Sequence, residues 1–189
     1  MTIAAGSEAQ VVTGAEPLWF LGTLARIKLD GHHTGGRFAL WDGELPRGAA
    51  PPLHSHPQDE TLYVLDGEII AWLVEPELVE PESTKPEPAG EGAGAAEWVR
   101  SRGRRCRAGA VVFAPGGVPH TFRVESDTAR LLFVSTPAGI EEYVRALAEP
   151  ARWPWLQPPP DGPRVPAERL ATVERECGVV RHGPPPPAA

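Results

Sequence analysis

The stretch that most constrains this chain runs from Gly48 to Gly67, where His54-Ser55-His56 is followed after three residues by Glu60. His54, His56 and Glu60 share one parity, so a continuously extended backbone would present all three to one face. Two imidazoles and a carboxylate on one face form most of a divalent-metal site. The plainer alternative is three polar groups on the wet face of a strand. Pro51 and Pro52 favour extended backbone and cannot donate to a ladder, which places the start of a strand near His54.

A second stretch, Gly109 to His120, has a similar build. A short apolar strand, Ala110 to Ala114, meets a Pro115-Gly116-Gly117 turn, and His120 stands where the next strand begins. The chain has six histidines, and three of them lie in these two stretches. Together the stretches resemble the paired signatures of the cupin superfamily. The first signature is Gly, five residues, His-x-His, three or four residues, Glu, six residues and Gly; Gly48, His54, His56, Glu60 and Gly67 match it. The second is Gly, five residues, Pro-x-Gly, two residues, His, three residues and Asn; Gly109, Pro115, Gly117 and His120 match, and Val124 stands where the Asn is expected.

The resemblance implies an all-β cupin fold, a double-stranded β-helix or jelly-roll barrel. It also implies one divalent transition metal held by His54, His56, Glu60 and His120. Fe, Ni, Mn or Co suits such a set, with Zn a metal that is easily acquired on purification. Thr34 to Phe38 and Thr136 to Tyr143 are similar to segments of small bacterial single-domain cupins commonly described as similar to quercetin 2,3-dioxygenase. Quercetinases often carry four residues between His-x-His and Glu; here Pro57, Gln58 and Asp59 are three.

Three imidazoles and one carboxylate leave a hexacoordinate metal two open positions, where substrate and O₂, or substrate and water, bind side by side. The expected chemistry begins with an enolate or phenolate oxygen on the metal and with Glu60 as the general base that takes its proton. Phe122 and Val124 share parity with His120 and are candidate substrate contacts; core packing is the alternative for Phe122. Three function classes follow. The first is a metal-dependent dioxygenase acting on an aromatic or enolisable hydroxy-ketone. The second is a non-oxidative isomerase, cyclase, lyase or decarboxylase. The third is a non-catalytic small-molecule-binding barrel.

The remaining chain is consistent with one barrel and its appendages. Residues 1–16 are small and polar, a flexible N-terminus. Leu18 to Leu29 reads as one or two strands, Asp30 to Gly36 as a turn whose His32 and His33 form a solvated pair, and Arg37 to Glu44 as a strand. Asp66-Gly67 signals a hairpin joining Glu60–Leu65 to Glu68–Val74. Residues 75–97 carry seven glutamates against one lysine, with prolines throughout, and read as an acidic insertion inside a 17–137 barrel. Arg100 to Arg107 holds five arginines, read as a solvated face. After strands at Thr121–Glu125 and Arg130–Thr136, the apolar spacing of Ile140 to Ala148 predicts a helix that stops before Pro150. Pro166 to Cys177 predicts another, ending at Gly178, within a helical segment 138–178. Trp153 and Trp155 are candidates to pin this segment to the barrel. Residues 179–189 read as a Pro-rich tail.

Composition closes off several classes. A net charge of −7 and a pI near 5.4 argue against nucleic acid, which calls for a basic face. No apolar run approaches the roughly 18 residues that a membrane span needs. No basic-then-apolar leader is visible, so Cys106 and Cys177 are expected as reduced thiols in a cytoplasm. Richness in Pro, Gly, Ala and Arg points to a GC-rich bacterial source. The N-terminal strands lie outside the motif core and could add to a neighbour's sheet edge, so a homodimer is expected.

Overall fold

A computed structural model describes residues 9–74, 103–151 and 165–186. Twelve strands among them form two antiparallel sheets. The strands are β1 Leu18–Phe20, β2 Thr23–Leu29, β3 Ala39–Pro46, β4 Leu53–Ser55, β5 Asp59–Asp66, β6 Glu68–Leu73, β7 Arg104–Arg107, β8 Val111–Ala114, β9 His120–Val124, β10 Thr128–Thr136, β11 Glu149–Pro150 and β12 Val180–Gly183. Helices are α1 Gly31–Thr34, α2 Ile140–Leu147 and α3 Ala167–Cys177. One sheet runs β11-β1-β2-β3-β10-β5-β8, the other β12-β4-β9-β6-β7. This is the all-β sandwich expected of a cupin, with the helices following the last long strand.

Alternation decides which side chains face inward. Along β10, Ala129, Leu131, Phe133 and Ser135 are buried, while Thr128, Arg130 and Thr136 are exposed. The centre is made where Leu131 pairs with Val64 across β10–β5 and Ile69 pairs with Val124 across β6–β9. All four are at most 1% exposed. Trp41 and Phe133 stack face to face, ring centroids 3.8 Å apart. Gly43 makes room for that stack, since a Cβ there would sit 3.3 Å from both rings. On the outer face of β3, Asp42 is buried beneath Arg26, Lys28 and Arg130, with Arg130 Nη2 at 2.6 Å.

Three local expectations are corrected. The Asp66-Gly67 hairpin is absent, because β5 and β6 lie in different sheets and do not pair. Gly67 is a corner between sheets. Its φ of 82° is left-handed, and a Cβ there would fall 2.4 Å from the Thr128 carbonyl oxygen. The turn at Asp30–Gly36 contains a one-turn helix, because Asp30 and His33 form a capping box, the His33 N–H donating to Asp30 Oδ1 at 3.0 Å. The arginines of Arg104 to Arg107 are solvent-exposed as expected, on an edge strand, β7, across which Arg105 and Arg107 both contact Glu68. The tail expected from residue 179 begins with β12, which pairs with β4.

Both C-terminal helices form, at Ile140–Leu147 and Ala167–Cys177. Buried Ile140, Val144 and Leu147 seat α2, and buried Glu141 accepts from the Gly31 N–H at 2.8 Å, tying α2 to α1. Gly178, in the left-handed conformation with φ of 70°, ends α3 and turns the chain straight into β12. The acidic insertion at 75–97, Arg100 and Arg102, and the pair Trp153 and Trp155 lie outside the described residues.

Candidate functional site

His54, His56 and Glu60 converge, but not as members of one strand. His54 sits on β4 in the five-stranded sheet, and Glu60 sits on β5 in the seven-stranded sheet. The chain crosses between the sheets at Pro57-Gln58. The second motif locks that corner. Gly117 N–H donates to the His56 carbonyl at 2.8 Å, and Gly116 N–H donates to Asp59 Oδ1 at 2.7 Å. A Cβ on Gly116 would lie 2.3 Å from the Pro57 carbonyl oxygen, so the close approach of the two turns requires glycine. The shared parity of the three residues therefore reached the right grouping through the wrong geometry. His54 and Glu60 meet because two sheets face each other.

His120 joins from β9, directly opposite His54 in the β4–β9 register. One ring nitrogen from each of His54, His56 and His120 lies within 4.8 Å of the others. Glu60 stands beside this triangle, with Oε2 3.3 Å from His120 Nε2 and Oε1 3.9 Å from His56 Nε2. His56, Glu60 and His120 are buried.

Hydrogen bonding sets the tautomers. His54 Nδ1 lies 2.8 Å from the Pro52 carbonyl oxygen, and His120 Nδ1 lies 2.9 Å from that of Val118. A carbonyl only accepts, so both Nδ1 atoms carry the proton and both Nε2 atoms hold lone pairs. The Nε2 atoms of His56 and His120 are buried with no aligned hydrogen-bond partner. Buried ring nitrogens gathered this closely and unsatisfied by protein fit a metal ion.

Electrostatics favours the neutral, ligand forms of His54 and His56. Burial, with the neighbouring His120 next, pushes His54 down to about 4, and burial also lowers His56. Both are neutral imidazoles at pH 7. Burial works against the charge on both Glu60 and His120, yet their mutual contact prevails, holding the carboxyl below its usual range and His120 above its own. Glu60 is thus an ionised carboxylate in the protein interior, with His120 positioned to take up the proton.

The cluster opens into a cavity of about 210 Å³. His54, His56 and Glu60 line it, and its largely apolar walls include five aromatic side chains: Phe20, Trp41, Phe122, Phe133 and Tyr143. Phe122 is thus in the wall, whereas Val124 is not; it is packed in the core opposite Ile69. The missing motif Asn at that position leaves no buried polar group to satisfy. His32 and His33 lie apart from the cluster, His33 being paired with Asp30 at 2.6 Å. The cavity also has walls that the motifs did not indicate. Tyr143 comes from α2, Glu174 from α3 and Arg181 from β12. Neither helical nor strand periodicity distinguishes these residues from surface ones, and only the docking of β12 on β4 brings them to the site.

No family model matches the sequence, and no curated protein matches it. Solved structures do share the fold. Oxalate decarboxylase from Bacillus subtilis, as a tryptophan-to-tyrosine variant, aligns at 17% identity and TM-score 0.50, over 74% of this chain and 33% of that one. The polyketide cyclase RemF from Streptomyces resistomycificus aligns at 22% identity and TM-score 0.43, over 72% of this chain and 78% of that one. KdgF from Halomonas sp. aligns at 16% identity and TM-score 0.47, over 66% of this chain and 89% of that one. The chain spans about a third of the decarboxylase, and the likeness is one of fold. The fold is that of a cupin, and three of its histidines form a cluster that could hold a metal. Among the described residues, no helix is long and apolar enough to cross a membrane.

Proposed function

We propose that this protein is a metal-dependent cupin enzyme that binds an aromatic or enolisable hydroxy-ketone and opens it with O₂, a quercetinase-like dioxygenase. The observation that carries this reading is the meeting of two unlike surfaces in one cavity. Two histidines of the imidazole cluster, His54 and His56, line it together with five aromatic side chains. A divalent metal held by His54, His56 and His120, with Glu60 as a further donor beside them, would supply a Lewis acid that acidifies a substrate hydroxyl.

The protein groups do the remaining work. Phe20, Trp41, Phe122 and Phe133 present flat apolar surface that orients a planar ring and keeps water away from it. Glu60, an ionised carboxylate beside the imidazoles, takes the hydroxyl proton. Native Fe, Ni, Mn or Co is expected in this reading. The small molecule and O₂ are its partners, in a cytoplasmic homodimer.

A non-oxidative reading, as an isomerase, cyclase or lyase, draws on the placement of Glu60. A carboxylate base beside the imidazoles serves proton transfer whether or not O₂ takes part. Oxygen-electrode measurements on flavonols and smaller hydroxy-ketones separate the two. Oxygen uptake at the rate of substrate loss is expected; substrate loss without uptake assigns the non-oxidative reaction. A ligand recovered unchanged after incubation would instead indicate a binding barrel.

A further inference from the structure

The barrel's last strand brings a charged group to a cavity that is otherwise mostly apolar. β12 pairs antiparallel with β4, and Arg181 is the direct register partner of His54. Directly opposed residues in an antiparallel pair project to the same face with Cβ atoms about 4.5–5.5 Å apart. Arg181 therefore stands one strand spacing from the imidazole cluster, and it lines the same cavity.

Its guanidinium is held by a neighbour in the same wall. Arg181 Nε donates to Glu174 Oε1 at 2.6 Å, and Nη2 lies 2.6 Å from the same oxygen. Glu174 is the last-turn residue of α3 whose backbone carbonyl accepts from the Val179 N–H at 2.8 Å, in the turn that launches β12. One carboxylate oxygen occupies one edge of a guanidinium that has five N–H donors, and donors on its far edge remain for another acceptor. Tyr143 shares this wall. Burial, followed by the Glu174 carboxylate, pushes its phenol up to about 12, so it stays neutral and brings no competing anion to Arg181.

We propose that Arg181, held by Glu174, is the specificity-determining residue of this cavity and takes the second oxygen of a substrate whose first oxygen lies among His54, His56 and His120. This rests on the aromatic hydroxy-ketone reading and sharpens it. The ligand class becomes an aromatic ring bearing a hydroxyl with a carbonyl on the adjacent carbon. When Glu60 removes the hydroxyl proton, the negative charge spreads onto the carbonyl oxygen, where a guanidinium hydrogen bond is strongest. A lone hydroxyl on the same ring offers Arg181 nothing.

The test compares two probes on the full-length protein as purified, without air so that nothing turns over. 1-Hydroxy-2-acetonaphthone has the adjacent carbonyl and 1-naphthol lacks it; binding is read by quenching of tryptophan fluorescence, Trp41 being in the cavity wall. Arg181→Gln is expected to weaken the ketone about tenfold, the worth of one charge-assisted hydrogen bond, and to leave 1-naphthol unchanged. Arg181→Lys should recover part of that loss. Glu174→Gln, which leaves Arg181 and β12 in place, should cost the ketone alone a few-fold and keeps the test decisive if Arg181→Gln folds poorly. Equal weakening of both probes, or of neither, overturns the role of Arg181 while leaving the substrate reading intact. Failure of the unmodified protein to bind either probe sinks the substrate reading and this proposal with it.

Discussion

Four strands of the sandwich each carry two kinds of interior along their length. On β5 the inward position is Glu60 at one end and Val64 further on; on β9 it is His120 and then Val124. β10 has Ser135 opposite Glu60 and Leu131 opposite Val64, and on β6 Leu73 pairs with His120 while Ile69 pairs with Val124. The Val64–Ile69–Val124–Leu131 region is closed and wholly apolar. His56, Glu60 and His120 are nearly as buried, with His54 partly so, yet this region contains an ionised carboxylate and ring nitrogens without aligned partners. Burial is similar; satisfaction is not. Stability in this protein should reside at the first region and chemistry at the second, since unsatisfied buried polar groups lower stability and persist where a ligand uses them.

The sharpest way to break that division is to change one residue at each end. Glu60→Gln keeps shape and burial but removes the base. Turnover should fall about 10²–10⁴-fold with little change in melting temperature, checked by steady-state rates beside a thermal melt. Leu131→Ala should do the reverse. A fully buried leucine in the closed region costs about 3–5 kcal/mol, visible in urea unfolding, while the folded fraction keeps its metal. If Glu60→Gln unfolded the protein or Leu131→Ala emptied the metal site, the two regions would not be separable.

Smaller effects sharpen the contrast. In chelator-treated protein, lowering pH from 7 towards 4 should lower the melting temperature through His54. Its folded value of about 4 lies below its ordinary 6.5, so the unfolded chain binds the extra proton first and stability rises with pH across that window. A His54→Gln variant should flatten the slope; an unchanged slope would place the titrating group elsewhere. Val124→Ala should cost about 1–2 kcal/mol, two carbons at roughly 0.8 kcal/mol each, and leave ligand affinity alone. Phe122→Ala, on the cavity wall of the same strand, should show up first as weaker aromatic binding in the fluorescence titration.

The same contrast explains what was legible in the sequence. The apolar strands were readable because alternation along Thr128–Thr136 or Asp59–Leu65 depends only on local parity. His54, His56, Glu60 and His120 were readable because their spacing to Gly and Pro is sequence-local, and the turns that carry them are built from those same residues. What failed was long-range. Asp66-Gly67 has the composition of a hairpin turn, but the pairing partners of β5 and β6 are chosen by β10, β8 and β9, far away in sequence. Arg181 and Glu174 reach the cavity only because a Gly178 cap redirects the chain onto β4, and an Arg at a strand position in a Pro-rich ending reads as surface. Val124 was assigned to the substrate wall by parity alone. Parity fixes the inward face, but not which end of the interior a residue occupies.

Whether the buried imidazoles hold a metal is decided by elemental analysis of the purified protein beside its His120→Ala variant. Close to one Fe, Ni, Mn or Co per chain is expected in the parent protein, with loss of that metal in the variant and an essentially unchanged melt for the two metal-free forms. A parent protein that neither carries a divalent metal nor takes one up on soaking would contradict that expectation, as would a His120→Ala variant that retains full occupancy.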